Sequence, residues 1–564
     1  MNEPGAAHCA ENWRTRFMWQ HNYIPVAGSL PLSTLIAAIP LFVLLFLVGV
    51  LRKPAWMAAL SGLVAASLVA LFAYGMPVRN LVGAVTYGGA YGLFPIGWIV
   101  YGAMVLYTLT VETGKFEIIR NSIGHITNDR RVQALLIAFA FGAFIEGAAG
   151  FGTPIAVAAA ILVGLGFSPF YAAAICLVAN TAPVAFGSIG IPIITLAGVT
   201  GLPLDTLSAT VGRVCAPVSL FIPSYLIAVM GGWKALRGVL PAAAVCGIAF
   251  ASMQFLMSNF VSVQITDIVA AITAMGALVL LLKVWTPADE FLMAHEHASA
   301  SLTPTHRYSA RELFSAWTPY LLLVIFVVAW GLKPVLLQLN RVNFLIDWPW
   351  LHNEIQRIPP VVPTASAYPA VFNFNWLSAA GTACLLAAIS SAVVLRVSPR
   401  RFLRIVGRMS RQLAPAEFTM ALVLAIAFLM NYSGATGTLG LAFAATGKSF
   451  PFFSPILGWL GVFLTGSDTS ANALFGSLQV VTANHLGMNP LLMAAANSSG
   501  GVMGKMISLA SIAVASAATS MNREDESRLF RFTFRHSIIL ASVVGLVVLF
   551  YAYIAPSLIP QLAR

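Results

Sequence analysis

Apolar runs of about 20 residues recur along this 564-residue chain and leave it few ways to fold. As α-helix, rising about 1.5 Å per residue, such a run matches a hydrocarbon core about 30 Å thick. Runs of this kind lie near residues 33–51, 55–74, 92–110, 214–232, 238–258, 262–282, 316–338, 374–395, 413–432 and 537–557. They are continuous and do not alternate, so they read as helices and not as barrel strands. Hydrophobic residues make up 59% of the chain and charged residues 9%, with a mean hydropathy of +0.86. Too few charges remain to clothe a water-soluble surface, and the chain belongs in a bilayer.

The net charge of +12 then reports topology. Lys and Arg gather at Arg52-Lys53, between Lys115 and Arg131, at Lys234 and Arg237, at Arg307 and Arg311, in the run Arg396, Arg400, Arg401, Arg404, Arg408 and Arg411, and between Arg523 and Arg535. Placing all of them on the cytoplasmic side satisfies the positive-inside rule with a consistent set of crossings; both termini and the loop 340–373 are then expected outside. Basic residues in short loops between apolar spans are poor material for nucleic-acid binding, whereas contact with anionic headgroups is expected. Cys176, Cys215, Cys246 and Cys384 sit in apolar runs and Cys9 stands apart, so no disulfide framework or metal-ligand spacing is visible. The first 32 residues show no basic segment running directly into a short apolar core with a cleavage site, and Arg52-Lys53 follow the first apolar run at once, so it reads as a retained anchor.

Two regions, 132–212 and 450–522, resist reading as simple spans. Both are apolar yet crowded with Gly, Pro, Ser, Thr and Asn, which lipid tolerates only where protein or a watery cavity satisfies the freed backbone. They open alike. Gly142-Ala143-Phe144-Ile145-Glu146-Gly147, running on to Pro154, parallels Gly461-Val462-Phe463-Leu464-Thr465-Gly466, which leads into Ser467-Asp468-Thr469-Ser470-Ala471-Asn472. The match continues through Gly166-Phe167-Ser168-Pro169 and Gly487-Met488-Asn489-Pro490, then through Asn180, Pro183 and Gly187 and their counterparts Asn497, Gly500 and Gly504. By the charge count the two regions are entered from opposite sides, as in an inverted-topology repeat built around a site near the midplane. Chance recurrence of small-residue helix interfaces is the alternative. The expected fold is an all-α polytopic membrane protein of about 12–14 transmembrane helices, with two inverted-topology repeats containing broken or re-entrant helices. It divides into an N-terminal segment 1–32, a first transmembrane half 33–284, a cytoplasmic linker 285–312 and a second half 313–564.

Each region places one carboxylate at its opening break. A carboxylate at mid-bilayer costs about 2.5–3.5 kcal/mol on insertion scales, so Glu146 and Asp468 each need a cavity, a partner or a proton. Each is a candidate proton carrier; a structural hydrogen bond is the alternative. Lys505 and Arg213 are the cations in or beside the two regions, and an Arg can grip a carboxylate through two parallel hydrogen bonds. Either could instead neutralise the acids, and Arg213 could simply end a helix at the interface. Helix starts after Gly152 and Ala471, helped by Thr153 and Asn472, offer backbone N–H groups to an anion. Hydroxyls and amides of Thr153, Asn180, Ser467, Thr469, Asn472, Asn497 and Ser498 complete the candidate substrate-binding set. His485 is either a proton relay or a structural histidine, and His295, His297 and His306 have poor metal spacing. Glu417 reads as a helix-entrance residue near the headgroups. No nucleophile elbow, phosphate loop or dinucleotide fingerprint supports an enzyme, and no cofactor beyond a coupling proton is expected.

The stretches Glu146–Pro154, Asn180–Gly187 with Gly190-Ile191-Pro192, Leu464–Asn472 and Gly500–Ser508 resemble signature segments of the L-lactate permease family. The likeness runs along nearly the whole chain, through Trp317-Thr318-Pro319 and Asn431-Tyr432-Ser433-Gly434. It implies a secondary carrier of the cytoplasmic (inner) membrane that moves lactate, and commonly D-lactate and glycolate, together with a proton. It also implies kinship with a wider group of inverted-repeat ion transporters. One departure from the family matters: Pro-Gln usually follows the equivalent of Ser508, whereas here Leu509-Ala510 precede Ser511. An obligatory break and an amide are lost, which leaves room for a different 2-hydroxy acid. The expected function is proton-coupled symport of L-lactate and related 2-hydroxymonocarboxylates, with membrane lipids as the other partner. A sodium-coupled carrier of another carboxylate is the first alternative, and a channel or membrane-embedded enzyme is further off.

Overall fold

The computed structural model describes residues 18–124, 126–150, 152–289, 291, 308–521 and 523–562. Ten helices among these are long and apolar enough to cross a membrane, or eleven if Pro169–Ala179 and Val184–Thr200, bent by 66°, count as one broken span. Thr153–Gly164, Thr266–Leu281 and Ala380–Val394 are shorter apolar helices, so the ten or eleven full-length spans fall below the expected 12–14. Most of the linker expected at 285–312, with His295, His297 and His306, lies outside the described residues.

Several helices run beyond the apolar runs that announce them. Val78–Glu112 takes in the run at 92–110 and is interrupted at Phe94, whose extended backbone (φ −146°, ψ 126°) precedes Pro95. Proline disfavours helical geometry in the residue before it, so the chain bends there. Pro399–Ser433 starts as an amphipathic surface helix: Ile405, Met409 and Leu413 are buried at four-residue spacing while Arg400, Arg401, Arg404, Arg408 and Arg411 are exposed. Ser398 caps it, its side chain accepting from the Arg401 N–H. The interior belongs to the polar-rich regions: Arg130–Ala148 is wholly buried, whereas only 28% of Leu30–Gly49 is covered by protein.

The two regions share one order of elements. In the first, Arg130–Ala148 breaks off at Ala148, Thr153–Gly164 follows, a turn leads to Pro169–Ala179, and a second break runs from 180 through the left-handed residues Ser188–Gly190 at the start of Gly187–Thr200. In the second, Phe450–Thr465 breaks at Gly466-Ser467, Asp468–His485 follows, a turn leads to Pro490–Lys505, and a second break at 506–508 precedes Leu509–Thr519. The turns are built alike. Gly166 and Gly487 hold left-handed backbone (φ +100° and +67°), Ser168 and Asn489 cap the next helix through their side chains, and Pro169 and Pro490 take its first position. With 12 and 11 residues, Thr153–Gly164 and Pro169–Ala179 each span only about 17 Å, too short to cross the hydrocarbon core.

Packing between the regions is reciprocal. Thr153–Gly164 lies against Leu509–Thr519, and Gly187–Thr200 lies against Asp468–His485. Each region therefore sets the helix after its first break against the helix after the other's second break. Within the second region, a Cβ on Gly458 or Gly500 would run into the backbone of Asn497 or Pro455 on the facing helix. Glycine there lets Phe450–Thr465 and Pro490–Lys505 approach backbone to backbone.

A small β-cap joins the start of the described chain to the loop 340–373, for which the sequence offered no strand pattern. Trp19–Gln20 pairs in parallel with Ile355–Arg357, which pairs antiparallel with Ser366–Ala367. Phe344–Asp347 pairs antiparallel with Val371–Phe374, Phe344 opposite Phe374 and Asp347 opposite Val371. His21 fastens the cap to the bundle through a 2.9 Å hydrogen bond between Nε2 and the Tyr432 carbonyl. Burial pushes its imidazole down to about 4, so it is neutral near pH 7.

Candidate substrate site

The helix breaks of both regions meet at one cavity of about 190 Å³. Glu146 and Gly152 reach its wall from the first break of the first region, and Gly187, Ser188 and Pro192 from the second; Ser467, Asp468 and Thr469 face them, with Lys505, Ala510 and Ser511 completing the ring. Small residues make this meeting possible. A Cβ on Gly187 would come within 2.7 Å of Glu146 Oε1, so a larger residue there would push the carboxylate aside. Ser188 and Ile189 hold φ of +47° and +60°, a conformation that costs roughly 1–3 kcal/mol per residue and clusters at functional sites. Ser188 Oγ donates to the Ala149 carbonyl at 3.2 Å, which ties the second break to the first.

Glu146 is 3% exposed and its Oε2 accepts from Asn180 Nδ2 at 2.9 Å. Asp468 opens the helix Asp468–His485, whose cap Ser467 accepts from the Ser470 N–H. Its Oδ2 accepts from Ser498 Oγ at 2.6 Å and from Asn472 Nδ2 at 3.2 Å; the latter pair stands four residues apart on one helix face. Asp468 Oδ1 is buried without a hydrogen-bond partner among the described residues. Asn472 Nδ2 also donates to the Pro192 carbonyl at 3.1 Å, which links the second region's acid to the first region's second break. A buried polar chain runs on behind it: Asn497 Nδ2 donates to Asn472 Oδ1 at 2.9 Å, Gln479 Nε2 to Asn497 Oδ1 at 3.1 Å, and Ser454 Oγ to Gln479 Oε1 at 2.8 Å. Such a network holds its members in one arrangement because each broken bond would strand a buried polar group. Lys505, 8% exposed, ends Pro490–Lys505 and donates from Nζ to the Gly466 carbonyl at 2.9 Å.

Of the residues singled out from sequence, Glu146, Asp468, Ser467, Thr469 and Lys505 line the cavity. Asn180, Asn472 and Ser498 stand behind it as partners of the two carboxylates, and Asn497 is one bond further back. Thr153 serves as the first residue of its helix, its N–H bonded to the Gly150 carbonyl at 3.0 Å, and is not on the cavity wall. Arg213 lies elsewhere. The long helix Leu204–Gly238 carries it away from the cavity, where Nε donates to Asn259 Oδ1 of Leu240–Phe260 at 2.8 Å and the guanidinium donates to the Leu558 carbonyl in the C-terminal segment. His485 is exposed at the far end of its helix. Sequence reading missed Ser188 and Ser511 on the wall and Asp267 behind Glu146; the last carried a usable signal, an acid inside an apolar run.

A bundle of apolar helices whose broken members enclose a small cavity walled by two acids and a lysine defines a multi-pass membrane permease. The chain belongs to the L-lactate permease family, which it matches over residues 33–555. It is 45% identical to the L-lactate permease of Escherichia coli (strain K12) over 551 residues, covering 96% of this chain and 100% of that protein. To the glycolate permease GlcA of the same strain it is 44% identical over 555 residues, covering 95% and 98%. Among solved structures it is similar to the Alcanivorax borkumensis YdaH transporter, with a TM-score of 0.47 at 15% identity, covering 84% of this chain and 87% of that one. Ten apolar helices and bacterial permease relatives together place the protein in the cell membrane.

Proposed function

We propose that this permease carries L-lactate and related 2-hydroxymonocarboxylates, D-lactate and glycolate among them, across the inner membrane together with a proton. The observation that carries the reading is the cavity wall, where Glu146, Asp468 and Lys505 meet at the helix breaks. Size supports it: a cavity of about 150 Å³ holds a six-carbon ring, and lactate has six non-hydrogen atoms, so about 190 Å³ admits lactate or glycolate and little more. Charge supports the coupling. With both acids ionised the wall carries one net negative charge, and an entering monoanion doubles it in a place where like charges 4 Å apart repel by about 4 kcal/mol at an effective dielectric of 20. One proton on either acid restores the original count. Anion and proton therefore favour each other's binding, and moving one of each is electroneutral. The substrate carboxylate sits against Lys505 and the start of Asp468–His485, while Ser467, Thr469 and Ser511 offer hydroxyls to the 2-hydroxyl.

The shared order of elements and the reciprocal packing support an inverted-topology pair working by alternating access, with the arginine-rich segments cytoplasmic and both termini outside. Purified protein in proteoliposomes under an inward proton gradient should accumulate labelled L-lactate, with D-lactate and glycolate competing and with no need for sodium at fixed pH. A sodium requirement would replace the proton with Na⁺ in this reading, and equilibration without accumulation would make the protein a channel.

Ala510 tunes the choice of substrate. It lines the cavity at the position where the family usually carries an amide. Ala510→Gln should narrow the wall and shift competition toward glycolate over lactate by about tenfold, the low end of what one methylene decides in a fitted pocket. Measuring inhibition of lactate uptake by both acids in the variant checks it.

A further inference from the structure

The two regions match at Gly187 and Gly504, and each puts the next residue to the same task. Ser188 and Lys505 follow those glycines, and both stand on the cavity wall. Lys505 Nζ donates to the Gly466 carbonyl at 2.9 Å and Ser188 Oγ to the Ala149 carbonyl at 3.2 Å. In each region a side chain from the second break thus reaches the backbone of the first. Lysine does so with a long stem, whereas the short serine sits on a left-handed turn, Ser188-Ile189-Gly190, with φ of +47°, +60° and +74°. The contact is close: a Cβ on Gly150 would lie 1.8 Å from Ser188 Oγ. Packing holds the turn, since a Cβ on Gly190 would lie 2.8 Å from the Val263 carbonyl. Pro192, having no N–H, offers the Ser188 carbonyl no helical hydrogen bond to gain by straightening.

A serine hydroxyl has one proton and two acceptor lone pairs. Ser188 gives its proton to the Ala149 carbonyl, which can only accept, so toward the cavity Ser188 Oγ is an acceptor alone. Ser511, on the same wall, is wired the other way: its Oγ accepts from Ser508 Oγ at 2.8 Å and keeps its own proton for the cavity. One committed acceptor and one free donor together match an alcohol, whose O–H donates one bond and whose oxygen accepts another. A keto oxygen accepts only. It satisfies Ser511 but sets a second acceptor against Ser188 Oγ, and a buried acceptor left without a donor is costly.

We infer that Ser188 makes the carrier select 2-hydroxy acids over 2-oxo acids, its Oγ accepting the proton of the 2-hydroxyl while Ser511 donates to the same ligand oxygen. The two regions then divide the ligand between them. Lys505 of the second takes the carboxylate, and Ser188 of the first takes the hydroxyl on the neighbouring carbon. This inference rests on the reading of the cavity as a monocarboxylate site; it does not depend on which ion is coupled to transport.

Competition against labelled lactate exchange at equal pH tests it with three acids of nearly one size: lactate carries a 2-hydroxyl, pyruvate a 2-oxo group and propionate neither. The unaltered protein should bind lactate about tenfold more tightly than pyruvate, the effect of about 1.4 kcal/mol. Ser188→Ala should remove most of that preference by weakening lactate, while propionate binds as before. Ser188→Gly deletes the same oxygen from a residue that left-handed backbone favours, and should show the same change in ratio. Thermal stabilisation of the purified protein by each acid gives the order of affinities without transport. A lactate-to-pyruvate ratio that survives in both variants would overturn the inference. So would propionate weakening in step with lactate, because Ser188 would then only hold the two breaks together. An unaltered protein that binds none of the three acids would remove the monocarboxylate reading itself, a result distinct from an unchanged ratio.

Discussion

Asp468→Asn is expected to reduce acid-driven lactate accumulation to the level of empty liposomes while leaving the protein folded and able to exchange labelled lactate across the membrane. The side chains have the same shape, and an Asn oxygen placed where Oδ2 stands keeps both the Ser498 and the Asn472 hydrogen bonds. The amide nitrogen then takes the position of Oδ1, which has no partner among the described residues to lose. What disappears is the ability of Asp468 to release a proton. With Glu146 ionised beside Lys505 the wall is neutral overall and still accepts the anion, so exchange at equal pH survives, and if Asp468 carries the coupling proton no proton gradient can drive net uptake. Glu146→Gln keeps the Asn180 bond and is expected to show the same split between accumulation and exchange. The two acids are not interchangeable, since Glu146 lies in the last turn of Gly142–Ala148 and Asp468 in the first turn of Asp468–His485, at opposite ends of helix dipoles. Comparing gradient-driven uptake with counterflow in both variants tests the idea, and gradient-driven accumulation in both would remove carboxylate coupling.

The parts of this site visible in the sequence are those marked by backbone chemistry. Runs of small residues and proline must interrupt a helix, and an acid at such an interruption in an apolar run needs a special environment; both facts hold whatever the tertiary fold. They located Glu146, Asp468, Ser467, Thr469 and Lys505 on one cavity before the path between them was known. What breaks do not encode is side-chain direction. Asn180 and Ser498 lie in the same segments yet turn to hold the acids and do not face the cavity, and Thr153 is spent on starting a helix. Arg213 follows the first region closely in sequence, but the length of Leu204–Gly238 takes it to Asn259 and Leu558. The β-cap escaped notice for a different reason: its strands are two to four residues long, too short to show a periodicity, and the pairing of Trp19 with Ile355 spans more than 300 positions.

Lys505→Met should weaken lactate binding roughly tenfold to a hundredfold, which corresponds to the 1.5–3 kcal/mol of a hydrogen bond to a charged group. Methionine approximates the length and volume of the lysine stem, so the helix end at 505 keeps its packing. The loss is electrostatic. Lys505 is the cation on a wall that also carries Glu146 and Asp468, and without it an incoming monoanion meets only like charge and the hydroxyls of Ser467, Thr469 and Ser511. The Gly466 carbonyl loses its donor at the same time, a further cost borne by the break itself. Lys505→Arg separates the two effects. It restores the charge but replaces a compact ammonium with a planar fork in a cavity of about 190 Å³, so binding should recover only in part. The decisive quantity is KM for lactate exchange at equal pH, normalised to protein in the membrane. A rise in Lys505→Met that Lys505→Arg partly reverses ties the substrate carboxylate to this ammonium, whereas an unchanged KM moves the anion to the helix starts and leaves Lys505 as the structural clamp of Gly466.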